Sequence, residues 1–143
     1  MELTVTRALR QEFLRRAAPR LVSDPARADW VIRGRVLPLT THANSFDTVS
    51  LALEYRVEVT LKLEVSDAEG RPMRIDPTVL KESELYLASA DAEAARKNRD
   101  EALRRIADVL AGRIRDAIGL QLADRANQRA GEAGLARAGG DAS

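Results

Sequence analysis

The segment from Leu51 to Val65 has the most regular alternation of hydrophobic and polar residues in the chain. Its odd positions carry aliphatic side chains and one tyrosine, and its even positions are mostly charged. Strict alternation of this kind predicts a β-strand with one buried face and one face in water. At about 3.4 Å per residue this strand would extend for roughly 50 Å, much longer than an ordinary strand.

A helical pattern of similar length occurs later in the chain, from Asp91 to about Leu122. Asp91 is suited to cap its first turn, and a rise of 1.5 Å per residue gives a length of roughly 45 Å. Because the strand and the helix match in length, we expect the helix to lie along the sheet. Its apolar stripe, at spacings of three and four, consists of Leu103, Ile106, Leu110, Ile114, Ala117 and Ile118.

Shorter elements precede the long strand. An apolar stripe predicts a helix from about Thr6 to Ala18, which Pro19 ends. A first strand is predicted from about Asp29 to Leu39, with a bulge or a close backbone approach at Gly34. The polar segment over residues 40–48 is predicted to be a loop or a hairpin tip.

The long strand is predicted to end in a hairpin turn at Asp67 to Gly70, where glycine can supply a positive φ. A third, less regular strand follows, because Pro77 interrupts its hydrogen-bond ladder. These elements predict an α+β fold, with an antiparallel sheet of three to four strands and two helices packed on one face. Residues 1–123 would form a single domain, and the Ala/Gly/Arg-rich residues 124–143 a disordered tail.

Composition narrows the possible functions. The chain has 143 residues, a net charge of +1, and only one Trp, two Tyr and two Phe. This composition offers neither bulk positive charge nor base-stacking platforms, so we predict no nucleic-acid binding. The absence of cysteine excludes disulfides, thiolate metal sites and cysteine nucleophiles. No run of about 20 apolar residues is present to span a membrane.

Catalytic and metal-binding residues are poorly represented. His42 is the only histidine, so we expect a solvated loop residue and no metal site. The carboxylates of the long strand, such as Glu58, alternate with Arg56 and Lys62, as cross-strand ion pairs on a wet face do. No motif for a bound nucleotide or an activated serine occurs. The sequence therefore predicts a protein without catalytic activity or a cofactor.

Arg96, Lys97 and Arg99 form a cationic cluster in the first turns of the long helix. Cations at this end oppose the usual preference of the helix dipole, which favours acidic residues near the N-terminus. The cluster is therefore a candidate site for an external anion such as a phosphate, to which the helix N-terminus would add free N–H groups. The alternative is a solvated face, with Asp100 and Glu101 as ion-pair partners.

Several short motifs occur in a characteristic order along residues 3–122. They are Ala8 to Phe13, Ala28 to Val36, Glu54-Tyr55-Arg56-Val57, Asp67 to Gly70 and Ala107 to Ile114. In this order they resemble the lipopolysaccharide-assembly lipoprotein family, LptE. The motifs are structural rather than catalytic.

The resemblance implies an outer-membrane lipoprotein that faces the periplasm. Members of the family plug the large β-barrel LptD, help it to assemble and bind lipopolysaccharide. Arg96 and Lys97 are the nearest matches to the basic position of the last helix where lipopolysaccharide contact is sought, and Arg99 adjoins them. The polar strand face, with Arg56 and Lys62, and the hairpin from Asp67 to Gly70 are candidate contacts with the barrel, because barrel lumens are polar.

Two features depart from the family pattern. Members begin with a signal peptide and a lipid-bearing cysteine, and they carry a strand before the first helix, which would make the sheet mixed. Neither feature is found in this sequence, so we expect its start to be truncated or misassigned and the N-terminal lipid anchor to be absent from this chain. The alternative function is a periplasmic lipoprotein interaction domain without lipid binding, and an enzyme ranks third.

Overall fold

The computed structural model describes residues 1–15, 20–46 and 52–139. Two helices, α1 and α2, and five strands, β1 to β5, form an α+β domain, as the sequence predicts. Single 3₁₀ turns occur at Pro25–Arg27 and Pro77–Leu80. The elements are α1 (Glu2–Leu14), β1 (Trp30–Val36), β2 (Thr40–Phe46), β3 (Ala52–Asp67), β4 (Pro72–Met73), β5 (Lys81–Leu87) and α2 (Ala92–Gly139).

The sheet is antiparallel throughout and is built around β3. β1 and β2 pair with the two halves of β3 along one edge, and β4 and β5 pair with them along the other. The structure thus has five strand segments in three columns, rather than three to four strands. Each edge column is broken near a proline, Pro38 or Pro77, because proline cannot donate to a ladder.

The segment predicted as a loop over residues 40–48 is instead strand β2 as far as Phe46, and residues 47 and 48 lie outside the described ranges. Thr40 pairs with Glu58, and His42 pairs with Arg56. His42 is therefore an exposed strand residue rather than a loop residue. The polar composition was misleading because, in the described part of the chain, neither face of β2 is covered by a helix, so the strand needs no apolar positions.

Both helices pack on one face of the sheet, and the core lies between that face and the helices. Val57, Val59 and Val65 of β3 are buried against α2 and α1. The apolar stripe predicted for the long helix is confirmed, since every member except the half-buried Ala117 is buried. Gly34 lies in an unbroken register, and a Cβ there would lie 2.9 Å from the Leu63 side chain, so the feature at this position is a close approach.

α1 begins earlier than predicted, at Glu2 instead of Thr6, because buried Val5 extends the apolar stripe of Ala8 and Phe13 by one turn. Its predicted end, over residues 16–19, lies outside the described ranges. A cavity lined by residues of both elements lies between α1 and β1. The Glu2 carboxylate accepts a long hydrogen bond of 3.4 Å from the backbone N–H of Val36. α1 therefore packs along β1, with its first turn beside the last residue of that strand.

α2 starts at Ala92, as predicted, but continues to Gly139. Residues 124–139, predicted as part of a disordered tail, are helical, and residues 140–143 lie outside the described ranges. From residue 126 onward every described side chain is exposed. Alanine and arginine are strong helix formers, so this segment has high helix propensity without core packing.

Candidate functional site

The face of the sheet opposite the helices is polar along β3, although Leu85 and the exposed Leu87 of β5 also lie on it, opposite Arg56 and Glu54. Arg56 and Lys62 are exposed on it, and Glu58 is half-buried. Lys81 Nζ lies 3.0 Å from Glu58 Oε1, and Arg56 Nη1 donates to Ser83 Oγ over 3.1 Å. Part of the charge on this face is therefore neutralised by neighbouring strands, as expected for carboxylates that alternate with cations.

Lys62 lies directly opposite Arg35 of β1 in the strand register. Both side chains are exposed, and within the described ranges neither has a carboxylate within 4.0 Å. Like charges that face each other across a strand pair are destabilising. The adjacent pair, Arg33 opposite Glu64, is complementary. This end of the polar face thus carries two uncompensated cations.

The hairpin after β3 is held together by the carboxylate of Asp67. Its Oδ1 accepts from the backbone N–H of Glu69 (3.1 Å) and of Arg71 (2.7 Å), and its Oδ2 accepts from Arg71 Nε (2.8 Å). Burial raises the pKa of Asp67, but the backbone and side-chain hydrogen bonds from Arg71 outweigh it, and the net pKa is lowered. Asp67 is buried.

The two hairpin residues predicted to contact a partner, Asp67 and Gly70, therefore differ in exposure. Gly70 is exposed, and its φ of 79° confirms that glycine supplies the left-handed conformation of the turn. The Asp67 carboxylate is engaged within the hairpin, so its role in the structure is to shape the turn. The sequence alone did not identify Arg71 as its partner.

The start of α2 carries the predicted cationic cluster. Asp91 caps the helix, because its Oδ1 accepts from the N–H groups of Glu93 (2.8 Å) and Ala94 (2.9 Å). These two N–H groups are thus already satisfied, contrary to the expectation that the helix end offers free donors to an anion. An anion at this end of the helix would therefore interact mainly with the charged side chains.

Arg96 and Lys97 are exposed, and Arg99 is half-buried. In the described part of the chain none of the three has a carboxylate within 4.0 Å, although Asp100 and Glu101 are close in sequence. Ion pairs with these two acids, the alternative for this cluster, are therefore not formed. The cluster is available to an external anion.

Three apolar side chains near the end of the sheet are exposed, which was not expected from the sequence. Asn98 Nδ2 donates to the carbonyl oxygen of Leu87 over 3.0 Å, which holds the first turns of α2 against the end of β5. Leu87 is 61% exposed, Phe46 60% and Leu53 49%. The alternation predicted Leu53 to be buried. In the structure it is about half exposed.

No metal site or membrane-spanning segment appears in the described ranges. No group of three or more His, Asp or Glu side chains there could hold a metal ion. None of the helices described is both long and apolar enough to cross a bilayer.

The lipopolysaccharide-assembly family, LptE, matches residues 1–118 of the chain. The rare lipoprotein B of Shewanella oneidensis is similar in structure, with a TM-score of 0.63 at 18% identity over 84% of this chain and 88% of that one. A lipoprotein of Caulobacter crescentus CB15 gives a TM-score of 0.60 at 15% identity over 86% and 83% of the two chains. No curated protein matches this chain in sequence.

Proposed function

Because the chain belongs to the LptE family of lipopolysaccharide-assembly proteins, we propose that it is the non-catalytic partner of an LptD-like outer-membrane β-barrel. In this proposal it plugs the barrel, helps it to assemble and binds lipopolysaccharide. Family membership supports a role in lipopolysaccharide assembly in the cell envelope. The contact with a barrel and the binding of lipopolysaccharide are the parts that we add to it.

The observation that carries the barrel proposal is the polar face of the sheet. A protein that fills a barrel must present polar groups to a polar lumen. This sheet leaves one face free of helices, and that face bears the uncompensated Arg35 and Lys62. Carboxylates of the lumen wall would relieve the like-charge contact between them. Gly70, at the exposed end of the hairpin, would lie at the same contact.

Lipid binding is supported by the cations at the start of α2. Arg96, Lys97 and Arg99 are three positive charges within four residues, and lipopolysaccharide carries phosphates on its lipid A. Arginine is well suited to phosphate because its planar guanidinium can donate two parallel hydrogen bonds. The chain would reach this lipid at the periplasmic face of the outer membrane, anchored by an N-terminal lipid.

A second candidate function is an envelope interaction domain without lipid binding. It is favoured by the Asp91 cap, which occupies N–H groups that a phosphate would otherwise use. In that case the polar sheet face alone would carry the function, and the cationic cluster would be a solvated surface.

The proposal is tested in two steps with the full-length protein in its own cells. Affinity purification in mild detergent should recover a large outer-membrane barrel together with the chain. Charge reversal of Arg96 and Lys97 should then weaken lipopolysaccharide binding without reducing barrel recovery. Recovery without a barrel would overturn the main proposal, and unchanged lipopolysaccharide affinity would favour the interaction domain.

A further inference from the structure

The edge of the sheet formed by β4 and β5 pairs with β3 on its inner side only. In an antiparallel pair, every second residue directs its N–H and C=O groups away from the partner strand. Ala88, directly after β5, donates its N–H to the carbonyl oxygen of Leu53 over 2.9 Å, which fixes this alternation along β5. The residues of β5 that point outward are therefore Lys81, Ser83, Leu85 and Leu87. Such an edge is a template for another strand unless it is blocked.

Both ends of β5 are tied to α2 through outward carbonyl groups. Asn98 Nδ2 donates to the carbonyl oxygen of Leu87 over 3.0 Å. Arg113 Nη1 donates to the carbonyl oxygen of Lys81 over 3.2 Å. These two oxygens are acceptors that an added strand would use, and α2 already occupies them.

The same arrangement continues along β4. Pro72 points outward and has no N–H, and its carbonyl oxygen accepts from Arg125 Nη2 over 3.3 Å. Gln121 Nε2 donates to the carbonyl oxygen of Arg74, the residue after β4. Four carbonyl groups along one sheet edge thus accept hydrogen bonds from four side chains of one helix.

Carboxylates of β5 add two ion pairs with α2. Arg105 Nε lies 2.9 Å from Glu84 Oε1, and Arg113 also pairs with Glu82. Glu82 Oε1 accepts from the outward N–H of Ser83 over 2.8 Å, so a donor of the edge is satisfied as well. The two arginine side chains are 52% and 44% exposed, and exposed ion pairs contribute little to stability. Their placement along the edge therefore indicates a role other than holding the core together.

Leu85 lies between these contacts, and its edge groups are free. Within the described ranges, neither its N–H nor its carbonyl oxygen has a hydrogen-bond partner. Its half-buried side chain lies on the helix-free face, opposite Arg56 and near exposed Leu87. Two copies of β5 paired antiparallel about this residue would exchange two hydrogen bonds and place the two Leu85 side chains side by side. The edge is thus complementary to itself.

We propose that α2 blocks the β5 edge against pairing with the same edge of a second copy of the chain. The edge-capping side chains are Asn98, Arg105 and Arg113. They occupy acceptors that the second strand would need, and they hold α2 beside the edge. This inference is independent of the proposed barrel contact, which concerns the polar face of the sheet and not its edge.

The test compares two triple variants of the full chain by analytical ultracentrifugation over a range of concentrations. The edge-capping variant combines Asn98→Ala, Arg105→Ala and Arg113→Ala. Its control has the same composition and combines Arg104→Ala, Asn127→Ala and Arg129→Ala, which are exposed positions of α2 without hydrogen bonds or ion pairs in the described part of the chain. We expect the edge-capping variant to dimerise more tightly than wild type by roughly tenfold or more, because two carbonyl groups become available to interstrand hydrogen bonds. The control should behave as wild type.

Leu85→Glu, added to the edge-capping variant, distinguishes edge pairing from other causes of association. Within one chain the new carboxylate faces Arg56, whereas in the pair it would face its own copy, so the monomer should be restored. Circular dichroism checks folding, and Asn98→Ala alone, which leaves both ion pairs in place, repeats the test if the triple variant unfolds. A folded variant no more associated than wild type, or association that Leu85→Glu does not reverse, would overturn the proposal.

Discussion

Arg115 of α2 and Glu12 of α1 form an ion pair, with Nη1 3.0 Å from Oε2, although they lie 103 positions apart in sequence. Both side chains are less than one-fifth exposed. The pair joins the two helices on the same face of the sheet. It thereby adds a polar contact to the apolar packing of Val5, Ala8 and Phe13 in the shared core.

Loss of this pair should destabilise the fold. Arg115→Ala leaves a largely buried carboxylate without its interhelical partner, so we expect the free energy of unfolding to fall by about 2 kcal/mol. Arg15→Ala is the control, because Arg15 pairs with the same carboxylate but its own side chain is 70% exposed. The control should cost at most about 0.5 kcal/mol. Urea denaturation measures both, and equal losses would contradict this account.

The hairpin predicts a pH dependence through Asp67. Its pKa in the folded chain is lower than in the unfolded chain, so the ionised group stabilises the fold above its ordinary value of 3.8. That contribution is lost as the pH falls below 3.8 and through the folded pKa. Asp67→Asn should therefore lower the thermal midpoint at neutral pH, and the difference from wild type should shrink as the solution is acidified below 3.8.

The matched control for this experiment is Asp124→Asn, since Asp124 is exposed. Its difference from wild type should be small at every pH. An Asp67→Asn difference that stays constant from neutral pH to pH 2 would argue against a stabilising role for the ionised carboxylate.

Substitution by alanine should have opposite effects on stability at two glycines, Gly70 and Gly131. Gly70 has a φ of 79°, which an L residue adopts only with strain, so Gly70→Ala should cost about 1 kcal/mol. Gly131 lies within α2, and a Cβ there meets no atom within 4 Å. Gly131→Ala should therefore raise helicity, with a gain of up to about 1 kcal/mol for the helix. Circular dichroism and thermal unfolding distinguish the two, and a stabilising Gly70→Ala would contradict the turn geometry.

Reversal of one charge on the polar face should separate folding from function. Lys62→Glu places a carboxylate opposite Arg35, so the isolated chain should become more stable by about 0.5 kcal/mol. If this face meets carboxylates of a barrel wall, the same variant should lose barrel association. Glu64→Lys, opposite Arg33, is the counterpart and should destabilise the isolated chain. A Lys62→Glu variant that associates normally would remove Lys62 from the interface.

Sequence predicted the α+β fold, the long strand and the apolar stripe of α2. In these elements the spacing of apolar residues along the chain coincides with the buried positions. Val57 and Ile106 illustrate this, since each lies where its alternation or helical spacing predicts a core position. β2 was not predictable in the same way. His42 and Ala43 lie on opposite faces of β2, and neither is covered, so no hydrophobic period marks the strand.

The candidate site was predictable only in part. Arg96, Lys97 and Arg99 are visible in sequence as a cluster, and their lack of carboxylate partners in the described ranges agrees with that hypothesis. The exposure of Leu53 was not, because Leu53 follows the same alternation as the buried residues of β3. Exposure depends on which part of the sheet the helices pack against, and the alternation within a strand does not carry that information.

The central claim is that the polar sheet face contacts the interior of a barrel. A photocrosslinking amino acid at Lys62, in the full-length protein expressed in its own cells, tests it most directly. We predict a covalent product that contains the chain and an LptD-like barrel, and a much weaker product from the same group at Leu135, which lies on the exposed end of α2. No barrel product from Lys62, in cells where the chain co-purifies with a barrel, would contradict the proposed contact face.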